Sequence, residues 1–178
     1  ILSICALYFL VSSVDKFVLV TRGMSGRGVL RVSDDDARAI PDADLPVYTV
    51  LLPVYGEPEI VANLVAGVGK IDYPADKLDI LLVLEADDDE TRAAVEHADL
   101  DGITTVLVPP SEPRTKPKAC NVAMSLPSER SDIVTIYDAE DLPEPLQLRR
   151  VAVAFRELPD DIACVQAKLQ YHNGHQNI

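Results

Sequence analysis

The sequence has no tryptophan, only three cysteines, and aromatic residues at 5% of its 178 positions. Cys5, Cys120 and Cys164 are odd in number, far apart and without a C-x-x-C pair, which excludes a secreted disulfide scaffold and fits free thiols in a reducing compartment. Positive charge is scarce too. Sixteen Lys and Arg stand against 29 Asp and Glu, and the net charge of -13 would repel a phosphate backbone, so nucleic acid is excluded as an expected partner. No G-x-x-x-x-G-K-[ST], G-x-G-x-x-G or G-x-S-x-G segment is present, which removes the usual support for P-loop, dinucleotide-binding and hydrolase-elbow readings. His172 and His175 have metal-like spacing, but one pair falls short of the three or four ligands that zinc takes.

Apolar residues are plentiful. A hydrophobic share of 48% with 25% charged residues is ordinary for a globular chain, and the length suits one domain or most of one. The run from Ile1 to Val14 is almost unbroken, Asp15 and Lys16 interrupt it, and Phe17 to Val20 resume it. A membrane span needs about 20 apolar residues, so residues 1–20 are expected to be the later part of a transmembrane helix, the alternative being a buried helix of a soluble protein. Lys16, Arg22, Arg27, Arg31 and Arg38 follow, and the positive-inside rule places what comes next in the cytoplasm. Residues 21–46 read as a linker, first basic and then Asp-rich with Pro41 and Pro46 and no apolar period.

From residue 47 strand and helix signals alternate. Val47–Leu52, Leu78–Leu84, Ile103–Val108 and Ile133–Tyr137 are continuous apolar runs, and Ala163–Ala167 resumes a strand pattern. Between them, helical spacing appears in Ile60, Val61, Leu64, Val65 and Val68, and again in Leu148, Val151, Ala152, Phe155 and Leu158. Strands without period-2 polarity, alternating with helices, predict an α/β fold with a doubly wound, mainly parallel sheet covered by helices on both faces. Such sheets bind ligands at the carboxyl ends of their strands.

Three polar clusters fall at those ends: Tyr55-Gly56-Glu57 after the first strand, Glu85-Ala86-Asp87 after the second, and Asp138-Ala139-Glu140-Asp141 after the fourth. Carboxylates gathered together repel unless a cation neutralises them, and hard oxygen ligands suit Mg²⁺ or Mn²⁺ holding a diphosphate. Each cluster also has a plainer reading. Asp88, Asp89 and Glu90 fit an acidic first helical turn, and Asp138, Glu140 and Asp141 fit a solvated turn before Pro143. Lys118, with Lys116 and Arg114, forms either a solvated basic loop or the counter-charge a diphosphate requires.

Pro53–Glu57, the acidic end of the second strand, Lys116–Ala123 and Tyr137–Asp141 resemble, in order and spacing, the family 2 glycosyltransferases, and more narrowly their membrane-embedded, cellulose-synthase-like bacterial members. The resemblance covers Leu45 to about Asn173. It implies a nucleotide-diphosphate-sugar transferase fold of the GT-A type. It assigns Asp138 and Glu140, with Asp141 as a neighbouring candidate, to the metal and diphosphate, and Glu85 or Asp87 to the nucleotide base. Lys118 and Asn121 match the K-x-x-N segment near the phosphates, Tyr55 and Glu57 the loop walling the nucleoside, with Gly56 where the family usually has Asn, and Gln166 the strand beside the sugar.

The implied activity is inverting transfer of a sugar from a nucleotide donor, expected to be a UDP-sugar, to a glycan or lipid acceptor, at a bacterial inner membrane with the catalytic domain in the cytoplasm. The general base belongs to a Thr-Glu-Asp-like motif expected after Ile178. Two rivals remain: a nucleotidyltransferase of similar architecture, whose Gly-rich basic loop Pro53–Glu57 does not supply, and a non-catalytic nucleotide-binding module on the membrane.

Overall fold

A computed structural model of the chain describes residues 2–24, 29–126 and 131–167. They form two units that divide after Arg31. The first contains helix α1, Leu2–Met24. An 18-residue window within its Ser3–Met24 stretch has a mean hydropathy of 1.8, and the stretch is long and apolar enough to cross a membrane. At a rise of about 1.5 Å per residue it reaches the roughly 30 Å of a hydrocarbon core. Asp15 and Lys16 lie inside the helix and do not break it.

The second unit is built on a parallel sheet of β1 (Tyr48–Val54), β2 (Leu78–Glu85), β3 (Ile103–Val108) and β4 (Ile133–Ile136), in the order β3-β2-β1-β4. The predicted parallel sheet with helices is therefore present. Strand β1 is central and buried along its length except at Pro53, which is why it reads as an unbroken apolar run. Its alternate residues serve two cores. Tyr48, Val50, Leu52 and Val54 pack with α3 (Val61–Val68), α4 (Asp89–Glu96) and α6 (Gln147–Glu157) on one face. Leu51 joins Val83, Val106 and Val108 on the other, under Ala119, Cys120 and Ala123 of α5 (Lys116–Met124). The small side chains of α5 bring that helix close to the sheet.

Pro53 has no N–H to donate, yet it sits in the central strand. Pairing of β1 with β4 ends at Leu51, whose carbonyl accepts from the Tyr137 N–H at 3.1 Å, whereas pairing with β2 runs on to Val54. Two residues beyond Leu51, Pro53 faces the same side, where β4 has already left, so no ladder bond is lost. Beyond Leu51 the carboxyl end of β1 thus has no ladder partner on the β4 side.

Two expectations are corrected. The stretch 33–46, expected as a linker, carries helix α2 (Asp34–Ala39) and a 3-10 turn at Asp42–Asp44. Ser33 and Asp36 cap α2 reciprocally, and Ile40 and Leu45 are buried with Ala152 and Val153 of α6. Buried Arg149 holds the segment through Asp42 at 2.6 Å while its Nε lies 3.3 Å from Asp72 outside it, and Lys77 Nζ donates to the carbonyls of Ala43 and Leu45. Residues 163–167, expected as a strand, make no ladder. They lie beside β4, whose Val134 and Ile136 stay 40% and 47% exposed, and an apolar pattern without a hydrogen-bonded neighbour is not a strand.

Candidate active site

The chain runs β1, β2, β3 in one direction across the sheet and then returns to place β4 on the other side of β1. That reversal is the switch point at which open parallel sheets bind ligands. The loops after β1, β2 and β4 meet there, carrying Tyr55–Glu57, Glu85–Asp87 and Asp138–Asp141.

The first of these loops is fixed by a residue the sequence reading left to a helical turn. Asp88 is 9% exposed and uses both carboxylate oxygens: Oδ1 accepts from the Thr91 N–H at 3.1 Å as the cap of α4, and Oδ2 accepts from the Gly56 N–H at 2.7 Å. Burial pushes its pKa up, but these hydrogen bonds outweigh that and hold the carboxyl below its usual range. Gly56 has φ +66°, a left-handed conformation that Gly and Asn adopt most readily. The same backbone demand accounts for Gly standing where the resembling family has Asn. Tyr55 is left exposed at the mouth and Glu57 half-buried beside it.

The second and third loops are neutralised from one short segment. Arg114 Nη2 lies 2.6 Å from Asp87 Oδ2, and the guanidinium also hydrogen-bonds Tyr55. Lys118 Nζ sits 3.4 Å from Oε1 of buried Glu85 and donates to the carbonyls of Pro109 and Ser111. Lys116 pairs with Asp138. Thus the structure joins Glu85 with Lys118 directly and Asp87 with Tyr55 through Arg114, and it gives each of the three cations singled out in the sequence its own acid. Their signal in the sequence was the alternation of cations at 114, 116 and 118 in a chain that is otherwise acidic.

The three metal candidates are not equivalent. Asp141 Oδ2 accepts from the Asp138 N–H at 2.9 Å, which turns this carboxylate back onto its own loop. Asp138 and Glu140 are exposed. Among the described residues no three carboxylate, His or Cys side chains gather into a metal-holding cluster. A Mg²⁺ or Mn²⁺ ion nonetheless fits, because such ions take one or two carboxylates and complete their shell with phosphate and water, and Asp138 already holds a positive charge, that of Lys116. Asn121 is exposed on α5, one turn after Lys118. Gln166 is exposed in the irregular segment, and its neighbours Val165 and Ala167 line a groove with Asp132 and Ile133 at the start of β4, so it is not brought to the carboxyl ends of the strands.

The family described as glycosyltransferase like family 2 matches residues 46–177. The chain belongs to that family. A relative in Bacillus subtilis, the probable glycosyltransferase YdaM, is 27% identical over 106 residues, which cover 58% of this chain and 25% of that protein. A relative in Arabidopsis thaliana, probable glucomannan 4-beta-mannosyltransferase 14, is 26% identical over 155 residues, 80% of this chain and 28% of the plant protein. The chain therefore spans about a quarter of the length of these relatives. Among solved structures, the mannosyltransferase PcManGT from Pyrobaculum calidifontis, in complex with GDP-Man and Mn²⁺, superposes with a TM-score of 0.51 at 29% identity, over 65% of this chain and 36% of that one. The family match thus begins at Pro46, two residues before β1, and the sheet is of the GT-A type.

Proposed function

We propose that the chain carries the donor-binding half of an inverting, divalent-cation-dependent glycosyltransferase, taking a sugar from a nucleoside diphosphate to a glycan or lipid acceptor. The observation that carries this reading is the strand reversal at the switch point, where Tyr55, Asp87 and Asp138 stand at the ends of three successive sheet positions. Tyr55 and Glu57 wall the nucleoside, and Glu85 and Asp87 stand where its base would lie. Asp138 and Glu140 would hold Mg²⁺ or Mn²⁺, while Asp141 keeps their loop in shape. A bound divalent cation supplies charge to stabilise the departing diphosphate. Lys118, with Asn121 one turn on, keeps a cation beside the β3–α5 loop. The acceptor proton would go to a base in the part of the fold beyond this donor half.

The apolar helix α1 and the basic residues after it support a bacterial inner-membrane protein of the cellulose-synthase-like type with this domain on the cytoplasmic side. A uridine donor is our expectation from the resemblance, whereas the archaeal neighbour was solved with a guanosine donor. Calorimetric titration with UDP and GDP, each with and without Mn²⁺, tests both points. Nucleotide binding is expected to strengthen with Mn²⁺ and to weaken about tenfold in Asp138→Asn, the loss of one charged ligand. Nucleotide binding indifferent both to Mn²⁺ and to this substitution would overturn the assignment.

A further inference from the structure

Arg114, Lys116 and Lys118 are spaced two residues apart and each meets a different acid. The three pairs differ in how they are held. Lys118 and Glu85 have side chains only 19% and 7% exposed, and Nζ is further bound by two loop carbonyls, so this cation is locked in place. Arg114 is shared between Asp87 and Tyr55. Lys116 and Asp138 are 42% and 56% exposed, and Asp138 is the one partner of the Lys116 ammonium among the described residues. Lys116 is also the first residue of α5, whereas Asp138 follows β4, so the pair spans two elements and can open without unravelling either.

We infer that Lys116 is a resident counter-cation for Asp138, one that yields its place to the metal and transfers its charge to the donor diphosphate. The inference rests on the donor-site reading above. With Lys116 in place the carboxylate is already neutralised, and a metal ion arriving alone must displace an ammonium or sit beside it. An exposed ion pair of this kind is cheap to open, which corresponds to a penalty of about two- to fivefold in affinity. A nucleotide arriving alone can draw Lys116 only by leaving Asp138 unpaired, with Glu140, beside its own negative charge. When both arrive, Lys116 is released, and its flexible stem and three N–H donors suit a phosphate oxygen. Neither ligand alone satisfies all the charges, and the pair does. Metal and nucleotide are therefore bound with positive coupling, each raising the affinity of the other by the same factor.

The test uses the whole chain in detergent micelles and reads free Mn²⁺ by electron paramagnetic resonance, first alone and then with saturating UDP or GDP. Lys116→Met is expected to bind Mn²⁺ alone about two- to fivefold more tightly than the parent, while the enhancement given by nucleotide falls about tenfold. Lys116→Gln, a second neutral variant, is expected to behave alike, and Lys116→Arg, which keeps the charge, is expected to match the parent's Mn²⁺ affinity within twofold. If the parent shows nucleotide-enhanced Mn²⁺ binding and neither neutral variant tightens Mn²⁺ binding alone, the Lys116 assignment is overturned and the donor site stands. If no variant and not the parent binds Mn²⁺ with either nucleotide, the donor-site reading fails and this inference fails with it.

Discussion

Replacing Asp88 by Ala removes two hydrogen bonds at once, one capping α4 and one holding Gly56. Loss of an N-cap costs about 1 kcal/mol. Loss of a charged acceptor for a main-chain N–H that closes a loop costs about 1.5–3 kcal/mol. The expected destabilisation is thus about 2.5–4 kcal/mol, measured by urea unfolding of the whole chain in detergent followed by far-UV circular dichroism. Asp88→Asn is not a mild control. An amide has one oxygen, so it keeps one bond and turns an NH₂ donor toward the other N–H, and a loss of about 1.5–3 kcal/mol is expected. The dependence on pH carries a second signature. The folded carboxyl titrates below its unfolded value, so its contribution is complete above about pH 4 and is lost as the pH falls through the folded pKa. The gap between parent and Asp88→Ala should therefore be full at pH 7 and shrink in acid. A variant within 0.5 kcal/mol of the parent at pH 7 (roughly the scatter of neutral surface substitutions) would refute the claim that Asp88 fixes the loop after β1.

Three further outcomes are expected. Gly56→Ala has free space around its new Cβ but a φ of +66°, so it should lose about 1–2 kcal/mol on conformation alone, and Gly56→Asn less, both read by the same unfolding curves. Arg149→Met leaves Asp42 and Asp72 free to rehydrate but loses charged hydrogen bonds; a loss of about 2–3 kcal/mol should appear with new protease cleavage within residues 33–46, and an unchanged digest would argue against the clasp. Residues 1–24 should keep the chain in the membrane fraction after carbonate washing, and the basic flank should be cut by protease in inverted vesicles only; cutting in right-side-out vesicles would reverse the topology.

Much of this architecture was legible because a strand covered on both faces must be apolar at every position, which made β1 and β2 stand out, and because the polar residues after them marked their ends. The strand ends in turn located the site. Helix α2 escaped because its six residues include three Asp and its apolar contacts, Ala37 and Ile40, are too few to show a period. The signal that was available is Ser33-x-x-Asp36, a capping box with Asp in place of Glu. Asp88 was hidden among equally acidic neighbours, and only the fold shows which of them points inward. Arg114 and Lys116 stood out as cations beside Lys118, but which acids they meet follows from strand order rather than spacing.

The order of the strands also bears on how the chain is made. Strand β1 pairs at once with β2, but its other edge waits for β4, with Tyr48 opposite Ile133. At synthesis rates of about 5–20 residues per second, the intervening 85 positions take roughly 4–17 s to appear. For that time an apolar strand presents an open row of N–H and C=O groups, the surface on which nascent chains stick to one another. Pro53 lies on that edge and interrupts the row with a position that cannot donate. A residue tolerated in the finished sheet because β4 has already turned away would thus act earlier as a guard against aggregation on the ribosome.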